Sequence, residues 1–254
     1  MNFDRLENLN GKVAVIAGGC GNIGSATAQR LAERGARVIV LVHRNLDRAN
    51  TMVAALPNPG LDHFAILASV TDTPSLQMAA SIVKHRAGRC DILVNTAAKL
   101  TAIPPTNLHG LTDELFDEMI ITNLRGMYAT IREFSSLLKA SGDGLIINVS
   151  SQSAQRSGNS CIANSASKAG VDSMTRGLAK SMAPQIRVIG IAPGYLDSPI
   201  SGEVRMQDPV VLASQSPLKR LGTADDIAST IEACATTIRF ATGTVFLVDG
   251  GRIL

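Results

Sequence analysis

The sequence predicts an α/β protein: a single doubly wound, Rossmann-like domain over residues 1–254, with a parallel sheet of about seven strands and helices on both faces. Short apolar runs alternate with amphipathic stretches of helical length from end to end. The runs lack the polar alternation of half-exposed strands, as expected of a parallel sheet covered on both sides. No linker, repeat or low-complexity tract divides the chain. Apolar residues make up 45% of it, which is enough for a buried core.

The predicted elements follow one another in the order that a doubly wound sheet requires. The predicted strands cover residues 13–17, 38–42, 64–68, 92–95, 145–149, 187–191 and 244–248. Segments of helical length between them cover residues 23–34, 75–86, 113–138, 162–182 and 224–235. The proline-rich stretch 197–217 is expected to be irregular and to form a flap over a substrate.

Charge and cysteine usage exclude several functional classes. Basic and acidic residues nearly balance, 24 against 21, without the like-charged runs of a nucleic-acid or membrane surface. No stretch approaches the roughly 18 apolar residues that a membrane span needs. The four cysteines have no paired spacing, which argues against a zinc site and a disulfide framework. We therefore expect a cytoplasmic protein with no metal site and no nucleic-acid or membrane partner.

A glycine-rich turn follows the first predicted strand and opens the first predicted helix. Glycines allow a tight turn and a close approach to a pyrophosphate, which the N–H groups at the helix start can bind. The residues predicted to bind a dinucleotide here are Gly18, Gly19, Gly21, Asn22, Ile23 and Gly24. A purely structural turn is the alternative, because glycine is common wherever a strand meets a helix.

The end of the second predicted strand indicates which dinucleotide binds. An NAD-preferring site places a carboxylate there for the ribose 2′-hydroxyl, whereas a basic group accommodates a 2′-phosphate. Val42 stands at the expected acidic position, and His43 and Arg44 follow, with Arg48 one turn later. This pattern favours NADP(H), with NAD(H) as the second choice. The alternative interpretation is that Arg44 and Arg48 only cover a helix surface.

Residues 164–168, Asn-Ser-Ala-Ser-Lys, resemble the Tyr-x-x-x-Lys motif of the classical short-chain dehydrogenase/reductase family. The four-residue spacing places Asn164 and Lys168 on one helix face. In that family the lysine lowers the tyrosine pKa, and the phenol exchanges a proton with the substrate. An asparagine amide has no proton that titrates near neutrality. The chain is thus identified as an atypical member in which Asn164 replaces the active-site tyrosine.

The resemblance extends from about residue 9 to residue 251 and implies further cofactor contacts. It implies that Ser69 and Val70 contact the adenine and that Asn95 and Ala97 lie beside the cofactor. It also implies that Lys168 binds the nicotinamide ribose. The nicotinamide carboxamide would be contacted by Pro193, Gly194 and Ser198. Two family glycines are replaced here, by Asn22 in the first turn and by Ala98 after the fourth predicted strand.

The same resemblance implies a catalytic set of Asn123, Ser151, Asn164 and Lys168. Ser151 precedes position 164 by thirteen residues, as the family's substrate-binding serine precedes its tyrosine, and Asn123 matches the asparagine that helps to hold a water. Because the phenol is missing, the proton would come from water or another side chain. Candidate substitutes are Tyr195, Lys99 and His109.

The function implied is an NAD(P)(H)-dependent oxidoreductase acting on a small carbonyl, alcohol or conjugated enone. Two alternatives remain: a catalytically impaired nucleotide-binding or assembly protein on the same fold, and an engineered Tyr-to-Asn variant of an active dehydrogenase. The partner is a small-molecule substrate. The resemblance also implies a homo-oligomer, either a dimer or a tetramer.

Overall fold

The computed structural model describes residues 8–156, 160–197 and 208–254. Its centre is one seven-stranded sheet in the order β3-β2-β1-β4-β5-β6-β7, in which every neighbouring pair is parallel. The strands are β1 (Val13–Ala17), β2 (Arg37–Val42), β3 (Phe64–Leu67), β4 (Ile92–Asn95), β5 (Gly144–Val149), β6 (Ile186–Pro193) and β7 (Val245–Val248). The predicted fold class is confirmed.

Helices cover both faces of the sheet, as predicted. The α-helices are α1 (Asn22–Glu33), α2 (Leu46–Ala54), α3 (Thr73–Ala87), α4 (Asp113–Ile120), α5 (Gly126–Ala140), α6 (Ile162–Met182), α7 (Pro209–Gln215) and α8 (Ala224–Thr236). One buried cluster packs α1, α2 and α8 against one face, and a second packs α3, α5 and α6 against the other. Short 3₁₀ turns lie at Pro59–Leu61 and Gln152–Ala154.

Strand β1 shows why the apolar runs lack polar alternation. Ala14 and Ile16 face the cluster beneath α1, while Val13 and Val15 face the opposite cluster beneath α3. Both faces of the strand are therefore buried. Strand β7 departs from this pattern, because it is the last strand of the sheet and its residues are only half-buried.

Three local features differ from the sequence prediction. Helix α2 was missed; it begins after Asn45, whose left-handed backbone and side-chain bond to the Arg48 N–H form a cap. The predicted helix 113–138 is interrupted by a π-helical turn at Ile121–Arg125. Part of the stretch predicted to be irregular forms α7, which begins with Asp208 as its cap. Residues 198–207 of the predicted flap lie outside the described residues.

The sheet reverses its winding between β1 and β4, which are neighbours although β2 follows β1 in the chain. Ligands of open α/β sheets bind in the crevice that such a switch point opens at the carboxyl ends of the strands. A Cβ on Gly18 would lie 2.7 Å from the Ala97 nitrogen, so the loops after β1 and β4 touch at this crevice. Among the described residues, no helix is both long and apolar enough to cross a membrane.

Candidate active site

The glycine-rich turn between β1 and α1 is shaped for close approach. Gly18 adopts a left-handed φ of +80°, and the Gly21 N–H donates to the Gly18 carbonyl over 3.0 Å. A Cβ on Gly24 would lie 2.3 Å from the Gly18 oxygen, so only glycine fits there. Helix α1 has neither a side-chain cap nor an acidic residue in its first turn. An uncapped helix start behind a tight turn is suited to a dinucleotide's phosphates.

The surface after β2 is basic. His43 and Arg44 are exposed, whereas Val42 is buried at the end of the strand. Burial raises the pKa of the Cys20 thiol, and the positive charge of Arg48 opposes this rise. Exposed basic residues therefore follow β2, which ends without a carboxylate.

The residues assigned to the adenine lie after β3. The Ser69 hydroxyl is hydrogen-bonded to the Thr71 hydroxyl at 2.9 Å, and the Ser69 N–H donates to Ser75 Oγ. Val70 packs against the first residue of α5, where a Cβ on Gly126 would lie 3.0 Å from Val70 Cγ2. Val70 thus joins this loop to α5.

Asn95 is buried at the carboxyl end of β4, and its amide links secondary-structure elements. It donates to Asn148 Oδ1 over 3.0 Å, and Asn148 in turn donates to Thr175 Oγ1 on α6 over 3.0 Å. This chain of bonds fastens β4 to β5 and α6. Ala97, two residues after Asn95, lies against Gly18 at the crevice.

Asn123 lies in the π-helical turn, with no solvent exposure. Its Oδ1 accepts the Lys99 N–H over 2.7 Å, and its Nδ2 donates to the Lys99 carbonyl and to Ser167 Oγ over 2.9 and 3.2 Å. The side chain therefore holds the segment after β4 against α6. π-turns frequently occur at functional sites, where they redirect backbone groups that an α-helix would pair.

Lys168 is buried on α6 and donates from Nζ to the Val149 carbonyl over 2.7 Å, which places the amine at the carboxyl end of β5. Burial lowers the pKa of Lys168 to about 8, and the Asp172 carboxylate one helical turn later opposes this shift. Burial also raises the pKa of Asp172, against the effects of Ser150 and Arg176. The site thus holds an amine close to its titration point at neutral pH.

Asn164 and Ser151 are joined by Ser153, a residue that was not predicted. Asn164 Nδ2 donates to Ser153 Oγ over 3.3 Å and to Ser160 Oγ over 3.0 Å. Ser153 donates to Ser151 Oγ from its hydroxyl over 3.0 Å and from its N–H over 3.1 Å. The contact depends on the 3₁₀ turn Gln152–Ala154, which has no strong sequence signal, so only the adjacent serines hinted at it.

Pro193 and Gly194 lie where β6 ends, next to β7. The Gly194 N–H donates to the Val248 carbonyl over 2.9 Å, and a Cβ on Gly194 would lie 2.7 Å from the Asp249 Cα. The backbone at Gly194 is therefore held against the residues at the end of β7. Ser198, also predicted to contact the cofactor, lies outside the described residues.

Comparison with known proteins decides the family. The short chain dehydrogenase family model matches residues 12–209. The chain belongs to the short-chain dehydrogenase/reductase family. It is 32% identical over 247 residues to the 3-oxoacyl-[acyl-carrier-protein] reductase of Staphylococcus aureus, covering 96% of this chain and 98% of that protein. It is also 32% identical over 242 residues to the cis-4-hydroxycyclohexanecarboxylate dehydrogenase of Sinomonas cyclohexanicum, covering 94% and 96% of the two chains.

A solved dehydrogenase/reductase from Sinorhizobium meliloti has the same architecture. It superposes with a TM-score of 0.88 at 29% identity and covers 99% of both chains. The two named relatives are oxidoreductases, and membership of the short-chain dehydrogenase/reductase family implies a nicotinamide dinucleotide cofactor. The glycine-rich turn and the uncapped start of α1 fit such a cofactor.

Three side chains are candidate substitutes for the family's tyrosine as proton donor: Tyr195, Lys99 and His109. Burial raises the pKa of Tyr195, and its ring packs against the Arg252 guanidinium at 4.7 Å. Lys99 forms an ion pair with Glu118 over 3.5 Å, and His109 is exposed on the loop before α4. A good catalytic acid has a pKa near the working pH, and the raised pKa of Tyr195 moves it away from that range.

Proposed function

We propose that this protein is an NADP(H)-preferring oxidoreductase that interconverts a small carbonyl compound, or a conjugated enone, with its reduced form. The observation that carries the proposal is the position of Lys168: its amine is buried at the carboxyl end of β5, on the helix that also bears Asn164. Ser151 follows the same strand and is bridged to Asn164 by Ser153. We further propose one NAD(P)-binding domain over residues 1–254, a cytoplasmic location and a homo-oligomer.

Each proposed catalytic residue has a separate task. When bound, the reduced nicotinamide supplies the hydride. The Ser151 hydroxyl donates to the reacting oxygen and stabilises its developing charge. Lys168 holds the ribose hydroxyls and keeps a positive charge near that oxygen. Asn123 fixes the loop after β4, and Asn164 orients its neighbours. Because the Asn164 amide cannot release a proton, water supplies it.

The proposed function is tested by two measurements on the same protein. The fluorescence emission of NADPH should change when the protein is added. The protein contains no tryptophan whose own emission would interfere with this measurement. The loaded protein should then oxidise the cofactor slowly when ketones or enones are added. Absence of the emission change would refute cofactor binding, whereas saturable binding without turnover on a broad panel would refute the catalytic part.

A nucleotide-binding protein without turnover is the second candidate. The observation that favours it is the bonding of Asn164, whose amide is held by Ser153 and Ser160 at the position of the family's phenol. The same two measurements distinguish the candidates, because this one requires the emission change and excludes substrate-dependent oxidation.

Arg44 is expected to determine the preference for NADP(H). Arg44→Ala should weaken NADP(H) binding about tenfold, because an exposed charge-assisted hydrogen bond to the 2′-phosphate is lost. Affinity for NAD(H), which lacks that phosphate, should stay unchanged, and the Arg132→Ala control on α5 should alter neither. Emission titrations with both cofactors measure the effect. Equal losses for both cofactors would contradict a contact with the 2′-phosphate.

Cofactor binding is expected to weaken as the pH rises through about 8, the pKa of Lys168. Below that pH the ammonium forms charge-assisted bonds to the ribose; above it the neutral amine forms ordinary ones, and affinity should fall about fivefold. Emission titrations from pH 6.5 to pH 9.5 would measure this. The Lys168→Met protein should bind weakly with no inflection, and an inflection that persists in it would refute the assignment.

A further inference from the structure

We propose that Ser153 is a positioning residue that makes the Ser151 hydroxyl a directed hydrogen-bond donor to the reacting oxygen. The inference rests on the proposed function and adds a residue to its site. Ser153 is buried in the 3₁₀ turn Gln152–Ala154, between Ser151 and Asn164. Its hydroxyl group links Ser151 to Asn164, the residue at the position of the family's tyrosine.

The direction of the hydrogen bonds carries the proposal. Ser153 has one hydroxyl proton, and it is donated to Ser151 Oγ over 3.0 Å. Ser153 Oγ therefore acts as the acceptor towards Asn164, whose Nδ2 lies 3.3 Å away. This fixes the orientation of the Asn164 amide, because turning it over would place its carbonyl oxygen opposite a hydroxyl that has no proton left to give.

The same bonds leave one proton for a ligand. Ser151 Oγ accepts from both the N–H and the O–H of Ser153, which occupies both of its lone pairs. Ser151 is only partly buried, and among the described residues its hydroxyl proton has no acceptor. An oxygen that accepts two hydrogen bonds is also polarised towards donation, since hydrogen bonds in a chain strengthen one another.

The ligand recognised by such a site is a carbonyl oxygen or the oxyanion that forms from it. Without the Ser153 hydroxyl, Ser151 Oγ accepts one hydrogen bond fewer, so its O–H is free to rotate away from the ligand. Asn164 also loses one of the two acceptors of its amide N–H groups. A purely structural explanation is that Ser151 only caps the 3₁₀ turn. That cap uses the Ser153 backbone N–H, which every side-chain variant retains.

The probe is N,N-dimethylacetamide, a carbonyl acceptor that carries no N–H and accepts no hydride. Its affinity for the NADP(H)-loaded protein is measured through the cofactor's emission. Ser153→Ala should weaken this affinity about tenfold, and Ser153→Thr, which keeps the hydroxyl, should restore it to within about threefold of the wild type. With a ketone substrate, KM should rise in Ser153→Ala by a similar factor, because the ground-state carbonyl loses the same hydrogen bond, and kcat should also fall, because that bond strengthens as charge develops on the oxygen.

Two further variants distinguish the proposed role of Ser153 from a general effect on Asn164 and from the background effect of a serine-to-alanine change. Ser160→Ala removes the other acceptor of Asn164 without touching Ser151, so it should weaken amide binding less than Ser153→Ala does. Ser181→Ala, which is exposed near the C-terminal end of α6 and far from Asn164, is the background control. Equal losses in Ser153→Ala and Ser160→Ala would assign the effect to Asn164 and overturn the proposal.

The remaining outcomes distinguish this inference from the proposed function. If wild type and Ser153→Ala bind the amide equally, or if the loaded wild-type protein binds no amide, the role of Ser153 is refuted while cofactor binding stands. If reduced NADP(H) gives no emission change with the wild-type protein, the proposed function itself is refuted.

Discussion

Asn164→Tyr is expected to raise kcat for carbonyl reduction by about 10²- to 10⁴-fold, the range that a positioned acid contributes. The reason is that only the titrating proton is missing: Lys168 lies four residues along the same helix face with its amine at the site. A phenol there would have its pKa lowered by the ammonium. The measurement is steady-state oxidation of reduced NADP(H) with a panel of ketones and enones.

Asn164→Phe is the matched control, because it supplies the ring without the hydroxyl. It should give no increase, and the cofactor affinity of both variants should match that of the wild type. An equal increase from phenylalanine would assign the effect to packing. No increase from tyrosine would indicate that Ser153 and Ser160 have remodelled the site around the amide.

Gly24→Ala is expected to reduce cofactor affinity by at least about 100-fold, since losing two charge-assisted hydrogen bonds costs about 3–6 kcal/mol. The new Cβ would lie 2.3 Å from the Gly18 carbonyl oxygen and 2.9 Å from the Gly19 Cα. Both are backbone atoms, so the turn has to open and its N–H groups move away from the phosphates. Emission titration measures the affinity, and circular dichroism checks that the fold persists.

Gly60→Ala is the corresponding control, because a Cβ there meets nothing within 4 Å. It should bind the cofactor as the wild type does. If Gly24→Ala also binds the cofactor with normal affinity, the glycine-rich turn does not hold the cofactor's phosphates. Gly24 would then be required only for the packing of the turn between β1 and α1.

The sequence predicted the sheet well because its signals are local. Strands β1 and β4 and helix α6 have the predicted bounds, since buried apolar runs and helical spacing are visible in the chain itself. The ends of β6 were underestimated, because its pairing with β5 and β7 extends the strand beyond the apolar run. Helix α2 is harder to predict although Leu46, Ala49 and Val53 have helical spacing, because it is only nine residues long and begins at the left-handed Asn45 cap.

The site was predicted less completely, because its hydrogen bonds join residues that are distant in the sequence. Motif spacing indicated Ser151, Asn164 and Lys168, but not Ser153, whose contacts form only once a 3₁₀ turn faces α6. Motif spacing also could not indicate that Asn95 would bond to Asn148 across two strands. The roles of these residues remain predictions until the variants are measured.

The most direct test is the transfer of deuterium from NADPH that carries deuterium at both C4 positions of the nicotinamide. Wild-type protein, the labelled cofactor and a ketone that Asn164→Tyr reduces would be incubated together, and the product analysed by mass spectrometry. We expect an alcohol with one deuterium at the carbinol carbon, formed slowly by the wild type and faster by Asn164→Tyr. A contradictory result would be that the wild type binds the cofactor saturably but forms no labelled alcohol, under conditions where Asn164→Tyr forms it. The wild-type protein, with Asn164 in place of the tyrosine, would then not be an oxidoreductase.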